Sequence, residues 1–426
     1  MELVTALPAL PLAELSRPEA RSVVLVLLAS ALGALLSRIH GAIVLPTVVV
    51  EIVLGILFGP DVLGIAKTNE VITILSNLGL SMLFFFAGLE VIEERVAARA
   101  LKLGTLGWGL SLLIALAVGA VLQQAGVDAE WWLLGVALAT TALGTLVPIL
   151  SDAHLLPTPL GSAVLGTGVA GEFWPIIFIS VFLTSAYGAL REVLLLALFG
   201  GIVLVAAGIA LRARPPRVLR VLRETVHTTG QTAVRAAIFL LGLLVLIASD
   251  AGFEFVLGAF AAGLIVGLAL DSPEGAVVRM RLEGIGFGFL IPIYFVATGL
   301  TFDLDSLLAP TGLGLAALFL GLLLVTRGTP SLLWLRELGP RGTTSLALCG
   351  ATALPLIVAI VGIGQGSGAI SDSVGASLIG AGMISVLAYP LLATRIGARF
   401  AVEDGVEPRA HFTDDGLLTS PGDEAP

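Results

Sequence analysis

Thirteen apolar stretches of about 17–25 residues, each long enough to cross a bilayer, run through the 426-residue chain. They fall at about 22–38, 43–59, 71–90, 103–123, 131–150, 161–186, 190–211, 234–249, 252–270, 284–302, 311–334, 342–364 and 374–396. A chain so built can fold only as an all-α polytopic membrane protein of about 13 transmembrane helices, because a lipid-exposed backbone must satisfy its own hydrogen bonds. Composition agrees, with 57% hydrophobic residues, 12% charged residues and a mean hydropathy of +1.05. Soluble domains carry about 25% charged residues, so a water-soluble enzyme is excluded. Cys349 is the sole cysteine, which excludes a disulfide framework and any Cys-based metal site. The 51 glycines are spread through the apolar runs, where small residues let helices approach closely.

Placing the charges along the chain orients it. With the N-terminus outside, 17 of the 22 basic residues fall in cytoplasmic segments and four (Arg17, Arg21, Lys67, Arg191) outside, as the positive-inside rule requires. The last, Arg327, lies within a span. Residues 1–21 read as an N-terminal extracytoplasmic segment, and 22–399 as the transmembrane domain. Residues 212–233 form an Arg-rich cytoplasmic linker broken at Arg214-Pro215-Pro216-Arg217. Residues 400–426, acidic and polar, are expected to be a disordered cytoplasmic tail. The net charge of −9 owes most of its acidity to that tail. No nucleic-acid partner is expected, and the bilayer is the surrounding medium.

The two halves resemble each other. Glu51-Ile-Val-Leu-Gly55 matches Glu254-Phe-Val-Leu-Gly258, and the run Phe84–Leu89 matches Phe295–Leu300. Thr141-Ala142-Leu143 matches Thr352-Ala353-Leu354, and Leu165-Gly166-Thr167-Gly168 matches Ile379-Gly380-Ala381-Gly382. The matched spans are seven apart, so paired helices run in opposite directions. Repeat one covers about 43–186 and repeat two about 252–396, an inverted-topology repeat of the kind that places a binding site at the midplane. The fifth and twelfth spans each carry helix breakers at matching depth: Gly144 and Pro148 in one, Gly350 and Pro355 in the other. Two crossed discontinuous helices follow, with unwound backbone lining a cavity; ordinary Gly/Pro kinks are the competing reading.

Most acidic residues sit near span ends, where interfacial roles suffice. Glu172 and Arg327 lie deeper, about 16 Å and about 12 Å from the cytoplasmic side at 1.5 Å per residue, and can meet if their spans are neighbours. Intramembrane ionisable groups are functional candidates; a static ion pair is the competing reading. Glu172 with the hydroxyls of Thr140, Thr141 and Thr352 offers the oxygen ligands that a hard monovalent cation takes. Arg327 is the charge partner and, being permanently charged, cannot carry a transported proton.

Pro46 to Gly59-Pro60, Phe86-Ala87-Gly88-Leu89-Glu90 and Thr140-Thr141, together with the layout of residues 22–396, resemble the bacterial monovalent cation:proton antiporters of the sodium/hydrogen exchanger family, of the Kef/Nap type. The resemblance implies a homodimer in the cell inner membrane, with a dimerisation domain and a moving core domain. It implies a carboxylate pair, or Asn/Gln followed by Asp, where this chain reads Gly171-Glu172, and a Lys or Arg at Arg327. No cofactor is expected, and an enzyme is not expected because the deep polar residues include no His, no Cys cluster and no Ser/His/Asp set. The nucleotide-binding regulatory domain of Kef-type proteins is not expected either. With one carboxylate at the site, the expectation is electroneutral exchange of Na+ or K+ for protons by competition at Glu172. The alternative is a cation-coupled symporter of a small organic solute on the same architecture.

Overall fold

The computed structural model describes residues 16–37, 46–93, 98–183, 231–250, 255–270 and 273–403. The expected span at 190–211 and residues 212–230 of the expected linker 212–233 lie outside them, as do Glu254 and residues 404–426. Among the described residues the chain is helical, with a single isolated β-bridge between Ala129 and Ile370. The helices are α1 (Arg17–Leu36), α2 (Thr47–Phe58), α3 (Glu70–Glu93), α4 (Ala98–Gln124), α5 (Trp131–Leu138), α6 (Leu143–Asp152), α7 (Pro159–Leu183), α8 (Thr232–Asp250) and α9 (Phe255–Ala269). Then come α10 (Pro273–Ile285), α11 (Ile291–Leu300), the short α12 (Leu304–Leu308), α13 (Pro310–Gly328), α14 (Leu335–Gly350), α15 (Pro355–Gly366) and α16 (Asp372–Glu403). Among the described residues, eight helical stretches are long and apolar enough to cross a membrane, and three shorter apolar helices accompany them.

Local chemistry sets the ends of these elements. Ser16 and Glu19 form a capping box and Pro18 sits in the first turn, so α1 begins at Arg17, before the expected start at 22. Asn69 caps α3 through a 2.9 Å bond from Ile72 N–H, and Thr158 caps α7 through one of 3.2 Å from Gly161 N–H. Pro292 has no N–H for an ordinary helical bond, and a π turn at Gly286–Leu290 joins α10 to α11 just before it. Beyond α13 the chain tightens into a 3-10 turn at Thr329–Trp334 that contains Pro330. Gly339, at φ 60°, then breaks the start of α14, and Pro340 restarts it. α16 runs to Glu403, past the expected boundary at 399.

Two compact units divide the chain: residues 1–92 with 183–305, and residues 93–182 with 306–426. Each draws helices from both repeats. In the first unit, α2 crosses α11 at Gly55 and Gly299, whose Cα atoms lie so close that a Cβ on either would come within 2.8 Å of the other. A Cβ on Gly55 would also strike the Val296 carbonyl, and one on Gly299 the Ile52 carbonyl. The same crossing recurs between α9 and α3: a Cβ on Gly263 would strike the Phe85 carbonyl, and one on Gly88 the Phe260 carbonyl. Gly88 and Gly299 are equivalent, as the sequence match has them. Gly55, however, takes the part of Gly263 and not of Gly258, so the match of Glu51–Gly55 to Glu254–Gly258 is out of structural register. A similar short word drew that alignment, whereas backbone approach is what the geometry repeats. Glu51 itself is buried in α2, its Cγ only 2.7 Å from the position of a Cβ on Gly33 of α1.

Candidate ion site at the crossed helices

The second unit holds the two broken helices, which cross at their interruptions. α5 ends at Leu138 and α6 starts at Leu143; α14 ends at Gly350 and α15 starts at Pro355. Unwound backbone in an apolar bundle must find partners elsewhere, and here each break supplies the other. Ala142 N–H donates to the Thr352 carbonyl at 2.8 Å. Thr141 Oγ1–H donates to the Gly350 carbonyl at 2.6 Å. Thr141 N–H donates to the Gly171 carbonyl of α7 at 3.2 Å. That carbonyl is open because Pro175, four residues on, has no N–H to bond it.

These bonds locate the first interruption at residues 139–142. Gly144 and Pro148, expected as its hinges, fall inside α6 instead, because partners from Gly171, Gly350 and Thr352 hold the chain open upstream of them. In the second broken helix Gly350 and Pro355 do bracket the interruption.

Side chains also meet the backbone at both interruptions. Leu143 N–H, at the start of α6, donates to Glu172 Oε1 at 2.7 Å. Ala353 N–H, just ahead of α15, donates to Ser385 Oγ of α16 at 3.1 Å. Glu172 and Ser385 thus each accept from a backbone N–H beside an interruption, one with a charged group and one with a neutral group. A carboxylate at a helix N-terminus is favoured by the aligned peptide dipoles. At the opposite ends, the Leu138 carbonyl accepts from Thr326 Oγ1 at 2.8 Å, and the Gly350 carbonyl accepts from Thr141 and, at 3.3 Å, from Arg327 Nε.

Arg327 is 1% exposed, deep within the unit. Its Nε and Nη2 both donate to Thr141 Oγ1, at 2.9 and 2.7 Å. Nη1 donates to Ser111 Oγ at 3.1 Å, and Nη2 also reaches the Thr167 carbonyl at 3.2 Å. Among the described residues every partner of Arg327 is a neutral oxygen. The expected pairing with Glu172 is not formed: Thr141 takes two arms of the guanidinium, and the Glu172 carboxylate turns to the start of α6.

Thr141 is thereby saturated, because a hydroxyl has one proton and two lone pairs. The proton goes to Gly350 and the lone pairs to Arg327, so this hydroxyl has no oxygen valence left for a cation. Thr140 Oγ1 and Thr352 Oγ1 donate to the carbonyls of Ala137 (2.8 Å) and Leu348 (3.0 Å). Among the described residues nothing occupies their acceptor sides. Both residues are buried.

Gly171 explains the shape of the site. A Cβ there would lie 2.6 Å from Arg327 Nη2 and 2.7 Å from Thr141 Oγ1, tighter than any side chain tolerates. The guanidinium occupies the room that a residue larger than glycine would need. Ser111, Pro175, Thr326 and Ser385 were not found from sequence. Pro175 could have been, since a proline inside a membrane helix always frees the carbonyl four residues back; the other three carry no signal in their own neighbourhoods.

Inverted repeats, two crossed interrupted helices and a carboxylate at a half-helix N-terminus define the secondary-transporter class of membrane protein. The family model for the transmembrane sodium/hydrogen exchanger matches residues 24–396, and the chain belongs to that family. YjbQ of Bacillus subtilis is 29% identical over 368 residues, which cover 82% of this chain and 58% of YjbQ. The Na+/H+-K+ antiporter GerN of Bacillus cereus is 26% identical over 264 residues, 62% of this chain and 67% of its own length. Among solved structures, the sodium proton antiporter MjNhaP1 from Methanocaldococcus jannaschii superposes with a TM-score of 0.63. It covers 92% of this chain and 99% of its own, at 18% identity, a likeness of fold.

Proposed function

We propose that the protein exchanges a monovalent cation, Na+ or K+, for protons across the cell membrane, and that proton and cation compete for Glu172. The observation that carries this reading is the partly buried Glu172 carboxylate at the crossing, bonded to the first N–H of α6. Ionised, it is favoured there by the α6 dipole and offers oxygen to a cation. Protonated, it loses its charge and releases the cation. Thr140, Thr352 and carbonyls at the two breaks complete the oxygen shell; Thr141 serves Arg327 instead. The names of the relatives support the substrates, since GerN is called a Na+/H+-K+ antiporter.

One carboxylate with one bound species makes the exchange one proton per cation and electroneutral. Arg327 is held on neutral oxygens, and Glu172 is the group at which proton and cation compete. By resemblance to the family, we assign the chain to the inner membrane as a homodimer, N-terminus outside and C-terminus cytoplasmic. The unit holding the broken helices is the moving core, and the other unit is the dimerisation domain.

The test is purified protein in liposomes, with internal pH followed as Na+, K+ or Li+ is added outside. Cation-driven proton efflux is expected, and Glu172→Gln abolishes it. Full exchange by Glu172→Gln removes this residue from the mechanism.

A further inference from the structure

Ser111 is fully buried on α4, on a face lined by Ala100, Gly104 and Ala115. Small residues let that face meet α7 backbone to backbone: a Cβ on Gly104 would strike the Gly166 carbonyl, and one on Gly166 the Ala100 carbonyl. On α4, Ser111 Oγ lies 3.1 Å from Nη1 of Arg327 in α13. Nε and Nη2 share the Thr141 oxygen and reach the Gly350 and Thr167 carbonyls at 3.3 and 3.2 Å, whereas Nη1 has Ser111 alone among the described residues. Ser111 thus fixes the third nitrogen of the fork and completes its hold at the crossing. The space the fork occupies is the one cleared at Gly171, next in the chain to Glu172.

We propose that Ser111 is a positioning residue for exchange: it pins Arg327 to the helix crossing, so that the cation and not the guanidinium occupies the Glu172 carboxylate. The proposal rests on Glu172 being the ion site. With Ser111 lost, Arg327 can swing toward Glu172 and compete with the transported cation.

The experiment measures the half-saturating cation concentration and the maximal exchange rate in liposomes, for Na+ and K+ separately. Ser111→Ala should raise the half-saturating concentration about tenfold, the weight of one hydrogen bond to a charged group, with the maximal rate kept. Ser111→Thr, which retains the hydroxyl, should stay near the native value. In an Arg327→Lys background Ser111→Ala should add nothing, because an ammonium lacks the fork that spans Thr141 and Ser111. An unchanged half-saturating concentration in Ser111→Ala, a fall in maximal rate alone, or the same rise in the lysine background overturns the proposal. Should Ser111→Ala fail to fold, Ser111→Cys against Ser111→Thr makes the same comparison, sulfur being the poorer acceptor. Glu172→Gln, run in parallel, separates the two claims. Exchange retained there overturns the ion site itself, whereas exchange lost there with Ser111→Ala unchanged overturns only the role of Ser111.

Discussion

Gly171 shows how one residue can shape a site by lacking a side chain. The family resemblance suggests that adding Asn or Asp at this position would complete an acidic pair. The geometry predicts the reverse, since the new Cβ would sit against Arg327 Nη2 and Thr141 Oγ1. Overpacking of this kind costs about 1–3 kcal/mol, so Gly171→Asn should melt several degrees below the native protein in detergent. It should also lose exchange. A melting temperature equal to that of the native protein would show that Arg327 has room to move aside. The sequence made Glu172 and Arg327 conspicuous, because a charge deep in an apolar run is rare. It could not show which oxygens each one binds. Arg327 gathers Ser111, Thr141, Thr167 and Gly350 from four separate stretches of chain, and no local pattern encodes such a gathering.

At the scale of elements, the broken helices were legible because Thr-Ala-Leu recurs beside helix-breaking residues in both halves. The site of the first break was not legible. Gly144 and Pro148 were the strongest local breakers, yet the chain unwinds just before them, where Gly171, Gly350 and Thr352 offer replacement hydrogen bonds. Tertiary partners decided the matter over local propensity. The repeat likewise persists in geometry where its sequence has drifted, as the Gly55–Gly299 and Gly263–Gly88 crossings show. Those crossings leave no space for a side chain, and helix association in a membrane depends on such packing. Gly263→Val should therefore lower the melting temperature clearly, while the same change at Gly242, where a Cβ meets nothing within 4 Å, should leave it close to native. Equal effects at the two positions would count against backbone approach as the bond between α3 and α9.

At the scale of the whole molecule, the fold class follows from the count and length of apolar runs, and the family match over residues 24–396 agrees with it. The expected orientation and dimer rest on charge placement and resemblance. Transport stoichiometry belongs to this scale because it sums over all groups that titrate in the cycle. In the proposed function Glu172 is the one exchanging carboxylate, so one cation would replace one proton. The exchange rate in liposomes should then not change when the membrane potential is stepped with a potassium ionophore, using Na+ as substrate. A rate that follows the potential would require a second charge to move. The measurement that tests the central claim most directly is the count of protons released when the purified protein binds its cation in weakly buffered detergent solution. The account predicts one proton released per cation bound by the native protein, and neither release nor binding by Glu172→Gln. Two protons per cation, or undiminished release from Glu172→Gln, would contradict it.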